Sequence, residues 1–389
     1  MAEGSFQRKL LFLCTSHTLL HVYTNLPLAL LPILINDYGL SILYASIIVS
    51  IPRVFSLIFS VPSGLLADRL VHTDLIAFSL FLNVLAGALI FLLPNVEIAV
   101  LGFSLSALAS TFYHPPALSA ATNISRPNFL SRTLGFHGAS GTLGIALGPI
   151  TLGVVLNWLE WRYAYLIWIV PILLVAVIAL SVNVDALPSE DLQGRKSGKR
   201  LTTPLKYVLS LTFLSFLMLM LFASAASGTI STFLTTYLAE RKGLDIGLAS
   251  IIFGLNPLIG LASVIVGGYA GDKLGWRRAL TLIFSTATFA LILMFASTST
   301  TQAILFYLVY GFFNIMTMPI TTSLVAKITP RKSRGTAYSL QFIPESVIGI
   351  VMPIMLGALI DLLEIWIIFP VAIAFFIVVL VIIQILRIR

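Results

Sequence analysis

Of the 389 residues, 58% are hydrophobic and only 10% are charged, against about a quarter in an ordinary soluble protein. The formal net charge is +8, but the basic residues are spread between apolar stretches, which argues against a nucleic-acid-binding surface. The single cysteine, Cys14, lies in the first apolar stretch and excludes both a disulfide framework and a cysteine-based metal centre.

The apolar residues come in runs of about twenty or more, enough to cross a hydrocarbon core about 30 Å thick. Twelve helices are predicted, at approximately 10–35, 42–67, 75–94, 97–120, 133–157, 162–183, 207–238, 247–271, 279–298, 303–327, 336–360 and 365–386. The expected fold class is therefore an all-α membrane protein with 12 transmembrane helices in two six-helix bundles.

Span one follows Arg8 and Lys9, as a signal peptide would. It is too long for one and is interrupted by His17, His21 and Asn25, so a retained helix is expected. These three residues are spaced i, i+4, i+8 and share one helix face. Arg53 falls near the middle of span two, which ends in Gly64-Leu65-Leu66-Ala67-Asp68-Arg69. Span four carries Phe112-Tyr113-His114-Pro115-Pro116. Arg132 precedes span five, which holds His137 and the series Gly144, Gly148, Pro149 and Gly153.

The stretch 184–206 breaks the pattern of short loops with Pro188, Ser189, Glu190, Asp191, Arg195, Lys196, Lys199 and Arg200. It reads as a solvated linker between an amino-terminal bundle at 1–183 and a carboxy-terminal bundle at 207–389. Span eight then contributes Asn256 and ends in Gly268-Tyr269-Ala270-Gly271-Asp272-Lys273, with Arg277 and Arg278 beyond. Span ten holds Asn314 and Thr317. Arg334 precedes span eleven, which holds Gln341 and Glu345.

The halves match at one spacing. Gly64 to Gly268, Asp68 to Asp272, Pro115 to Pro319 and Pro149 to Pro353 are each 204 residues apart, the mark of a duplicated unit. Placing both termini in the cytoplasm puts 19 of the 23 lysines and arginines on the inner side, as the positive-inside rule requires.

On these motifs the chain resembles the major facilitator superfamily over essentially its whole length. The resemblance implies two bundles around a central substrate path. It also implies a conformational latch from Gly64, Asp68, Arg69 and Arg132 and, in the second half, Gly268, Asp272, Lys273, Arg277, Arg278 and Arg334. The helix-five series Gly144, Gly148, Pro149 and Gly153 is similar to a gating element of proton-coupled antiporters, where glycines admit a neighbouring helix and proline bends the chain. Span one (His17 to His21, then Leu26 to Pro32) and span four (Phe112 to Pro116) resemble the fosmidomycin-resistance branch of drug exporters.

Ionisable groups inside a bilayer are functional candidates by default, because burying them unpaired is costly. His17, His21, His114, His137 and Glu345 are candidates for carrying a proton, imidazole being able to titrate near neutral pH. Neutral histidines hydrogen-bonded between helices are the alternative. Arg53 either pairs with Glu345 or holds an anionic substrate. Asn25, Tyr113, Asn256, Asn314, Thr317 and Gln341 are candidates for lining a substrate cavity or for bridging helices. Three histidines could form a zinc site, but no carboxylate or cysteine joins them at a ligand spacing, so no metal site is expected, and no cofactor either.

The expected function is secondary active export of a small amphipathic or anionic organic compound by proton antiport. The alternatives are an uptake symporter or facilitator, then a non-transporting membrane protein or membrane enzyme. With no P-loop, ATP is not the expected energy source. The expected partners are a small-molecule substrate, protons and the lipid bilayer, and no nucleic acid, for a monomer in the inner (cytoplasmic) membrane.

Overall fold

The computed structural model describes residues 2–67, 70–93, 95–125, 130–184, 210–329, 340–341 and 343–386. Among these the chain is helical throughout and contains no strand. Lipid offers no partner for main-chain N–H and C=O groups, so each crossing segment satisfies its own ladder as a helix. In chain order the helices begin with α1 (Ala2–His21), α2 (Leu26–Ala29), α3 (Leu31–Tyr38), α4 (Ile42–Ala67) and α5 (His72–Leu92). There follow α6 (Val96–Ile124), α7 (Leu130–Val155), α8 (Tyr163–Ala179), α9 (Leu211–Lys242) and α10 (Ile246–Leu274). The last are α11 (Trp276–Ala296), α12 (Thr300–Ile315), α13 (Thr317–Ile328), α14 (Ile343–Leu363) and α15 (Ile368–Ile385), the last preceded by a 3-10 turn at Ile365–Ile367.

Among the described residues, ten helices are long and apolar enough to cross a membrane, or eleven when the bent pair ending in α3 counts as one span. The shorter apolar helix Tyr163–Ala179 completes the twelve expected crossings. Capping residues set several helix starts: Asn95, Asp245 and Ser299 each accept a main-chain N–H from the first turn that follows. Inside the helices, hydroxyls such as Ser50, Ser79 and Thr229 donate to the carbonyl one turn back, which spares them a search for other partners.

Two predicted helices are broken. Span one turns at Val22–Asn25 and bends by 53° before α3. Pro27 and Pro32 explain this: each lacks the N–H that a continuous helix would donate four residues back, and its ring crowds that carbonyl. The turn is held from outside, because buried Asn83 donates to the Leu20 carbonyl at 3.1 Å and the Tyr23 hydroxyl donates to the Tyr165 carbonyl at 2.6 Å. Span ten is interrupted at Met316 for the same reason, with Pro319 unable to donate to Ile315.

Two compact units result. One holds Met1–Leu30 with the described part of Ile51–Arg200, and the other holds Leu31–Ser50 with the described part of Leu201–Arg389. Within the second unit, Asp361 near the end of α14 caps the start of α4, accepting from the main-chain N–H of Ile42 at 3.1 Å and of Leu43 at 3.2 Å. Gly357, one turn earlier, lets the helices meet there; a Cβ on it would lie 2.6 Å from Ser46 Oγ. Replacing Asp361 with alanine is expected to remove about 1 kcal/mol of stability, and asparagine should restore part of it. The midpoint of thermal denaturation in detergent reads this. An unchanged midpoint in Asp361→Ala would show that the cap contributes nothing.

Candidate functional site

The first unit gathers four histidines where α1 ends. The seam between α1 and α7 brings His17, His21 and His137 there, and α6 supplies His114. Gly144 has no room for a side chain against the Thr18 carbonyl, nor Gly148 against the Val22 carbonyl, so the two main chains run in direct contact. Thr18 reinforces the seam by donating to the Ser140 carbonyl at 2.8 Å. Gly141 faces the His17 ring, where a Cβ would lie 2.7 Å from Nε2. Of the expected gating series, Gly144 and Gly148 therefore act as packing positions, while Pro149 and buried Gly153 lie further along the continuous α7.

His17 Nδ1 donates to the carbonyl of His137 at 2.6 Å, and the two rings stack at 4.1 Å. The fully buried Tyr113 stacks on His17 at 5.5 Å; its hydroxyl lies 2.7 Å from Ser16 Oγ and also donates to the Leu13 carbonyl. Tyr113 thus forms a wall behind His17.

His21, the last residue of α1, meets His114 of α6, with their Nε2 atoms 3.2 Å apart. His114 Nδ1 donates to the Ser110 carbonyl at 2.7 Å, which is the only way that contact bonds. Its Nε2 therefore carries a lone pair. The hydrogen between the rings then belongs to His21, whose Nδ1 accepts from the Thr24 hydroxyl at 2.8 Å. These tautomers follow from the hydrogen-bond network. The arrangement is a two-imidazole bridge holding one hydrogen, with His17 beside it: one ring nitrogen from each of His17, His21 and His114 lies within 4.8 Å of the other two.

Arg53, half-buried on α4, lies near enough to act on His21 electrostatically. Asn25 begins α2 without a side-chain cap and is half-buried. The remaining cavity candidates belong to the second unit. Asn256 presses against Gly311. Thr317 donates to the Asn314 carbonyl at 2.7 Å across the break in span ten. Gln341 is buried, and Glu345 is exposed in the first turn of α14.

Of the latch candidates, Asp68, Arg69 and Arg334 lie outside the described residues. A Cβ on Gly64 would meet nothing within 4 Å among the described residues and one on Gly268 would only reach Pro319, while Arg132, Asp272 and Arg278 are exposed. Lys273 sits over the Tyr269 ring at 5.6 Å. Arg277 donates to the Leu386 carbonyl at the end of α15, where a cation suits the helix dipole. The linker residues Pro188 to Arg200 lie outside the described residues.

Sequence reasoning missed Thr24, Ser110, Asn83 and Gly141. For Gly141 a signal existed, since it stands one turn before Gly144 in the same small-residue series. Ser110 likewise stands one turn before His114 on the same helix, whereas Asn83 finds its partner through a tertiary contact and Thr24 through an unpredicted turn.

The family model of the Major Facilitator Superfamily matches residues 11–343. The fosmidomycin resistance protein of Escherichia coli (strain K12) is 24% identical over an alignment of 295 residues that covers 72% of this chain and 70% of that protein. Among solved structures, the chain is similar to a bacterial homologue of the human lysosomal transporter Spinster in an inward-facing, occupied conformation. The TM-score is 0.81 at 16% identity, covering 97% of this chain and 96% of the other. A POT family transporter in complex with a thioalcohol-conjugated peptide gives a TM-score of 0.77 at 18% identity, covering 97% and 95%.

Proposed function

The chain belongs to the Major Facilitator Superfamily, and on that premise we propose that it exports a small amphipathic or anionic organic compound in exchange for protons by alternating access. Transport rather than catalysis is what the family and the structural neighbours support. One observation carries the proton assignment: the part-buried His21–His114 bridge at 3.2 Å, set on largely apolar helices. Two imidazoles sharing one hydrogen are one protonation away from a charged pair, and charge inside a bilayer is tolerated only where it is used. Arg53 beside them gives an anionic substrate a fixed counter-charge. Glu345 is the rival proton carrier, from the second unit.

The direction rests on the relative whose name records fosmidomycin resistance, and fosmidomycin is accordingly the first probe. The chain is placed in the inner membrane as a monomer, both termini cytoplasmic, with bundles at 1–183 and 207–389 joined by the 184–206 linker. The basic residues support that orientation. Cells expressing the chain should accumulate less labelled fosmidomycin than cells without it, and an uncoupler should erase the difference. Greater accumulation in expressing cells would favour the uptake symporter instead.

A further inference from the structure

We propose that His17, His21 and His114 form a binding site for one divalent transition-metal ion of the zinc class, with three imidazole ligands and a fourth position open. The inference rests on geometry alone and does not need these residues to carry the coupled proton.

Three observations converge. The first is spacing. Zinc–nitrogen bonds of about 2.0–2.1 Å at tetrahedral angles place two ligand nitrogens about 3.3 Å apart. His21 Nε2 and His114 Nε2 already stand 3.2 Å apart. His17 belongs to the same cluster within 4.8 Å, so about 1.5 Å of side-chain movement completes the triangle.

The second is the outer shell. A ligating imidazole ordinarily donates its other N–H to an oxygen, which fixes both ring and tautomer. Here each Nδ1 has such an oxygen: the His137 carbonyl for His17, Thr24 Oγ1 for His21 and the Ser110 carbonyl for His114. Only His21 has to change. Its hydrogen moves from Nε2 to Nδ1, Thr24 Oγ1 turns from donor to acceptor, and no charge is created.

The third is an orphaned lone pair. His17 Nε2 is buried without a hydrogen-bond partner, in a side chain only 6% exposed. Burying such a group costs free energy unless something meets it, and a cation shared with His21 and His114 would.

The donor set selects the ion. Imidazole suits zinc, copper, nickel and iron, whereas magnesium and calcium require oxygen ligands. Three neutral rings with the Arg53 charge near His21 hold a cation less tightly than a thiolate-rich structural site. The open position leaves room for a water or for an anionic group of a substrate.

The site is tested on the full-length chain purified in detergent without a polyhistidine tag and stripped of metal. Cobalt(II) is titrated by its visible absorption and zinc by calorimetry. One ion per chain with the intense bands of four-coordinate cobalt is expected. Affinity should fall at least about tenfold in His21→Gln and His114→Gln, and by about 10–100-fold in Thr24→Val, which loses the outer-shell oxygen. His72→Gln, at the start of α5, should bind as the parent does. Size-exclusion profiles establish that each variant is folded. Absence of binding in the folded parent would overturn the proposal, as would undiminished binding in folded His21→Gln and His114→Gln. Neither result bears on whether fosmidomycin is exported, which the accumulation measurement reads separately.

Discussion

Substituting glutamine for His114, or for His21, is expected to abolish substrate accumulation driven by a pH gradient while leaving exchange without a gradient intact. Glutamine keeps hydrogen-bonding capacity and approximate size but cannot gain or lose a proton. The bridge between the rings depends on one hydrogen shared across 3.2 Å, so losing either imidazole removes the pair. Exchange needs only that the loaded carrier reorient, and it should survive. Glu345→Gln tests the rival carrier by the same logic, since the amide cannot load or unload a proton. Reconstituted protein with counterflow and gradient-driven uptake measured side by side separates these cases. Gradient-driven accumulation that persists in all three variants would remove the proton from this site, whereas loss of both activities would mark a structural role.

The largest effect on stability is expected at Gly148. Its α-carbon lies against the Val22 carbonyl, a main-chain atom that cannot swing aside as a side chain would. Gly148→Leu forces α1 and α7 apart and opens the seam that positions His17, His21 and His137. Overpacking in a tight core costs about 1–3 kcal/mol, and a rigid neighbour puts this position at the upper end. Gly135 on the same helix faces nothing within 4 Å, so Gly135→Leu should leave folding unchanged. Fluorescence-detected size exclusion should show Gly148→Leu mostly aggregated and Gly135→Leu monodisperse. Equal profiles for the two would mean that the seam is not what holds α1 in place.

Much of the fold was legible because apolar length dictates crossing helices. The predicted 42–67 coincides with Ile42–Ala67, and most other boundaries lie within a few residues. The breaks were less legible, although Pro27, Pro32 and Pro319 stood in the sequence. Proline inside a membrane helix often leaves it continuous, as Pro115 and Pro116 do in α6. What decides is whether the freed groups find partners elsewhere. For the turn after His21, one partner is Asn83, 63 residues from the Leu20 carbonyl it satisfies.

The site divides in the same way. That His17 and His21 share a face follows from their spacing, but their meeting with His114 and His137 depends on the packing of three helices. Asp361 went unnoticed as a cap because the helix it caps begins 319 residues away. Arg277, expected in a latch, is engaged at the end of α15. Composition says that a cation should sit near such an end, but not which helix it will serve.

Uptake of labelled fosmidomycin into proteoliposomes under an imposed pH gradient tests the central claim most directly. Proton antiport predicts that an acidic lumen drives accumulation, because protons leaving down their gradient bring substrate in. Accumulation with the acid outside instead would make the chain a symporter, and equilibration indifferent to the gradient would make it a facilitator, each contradicting proton-driven export.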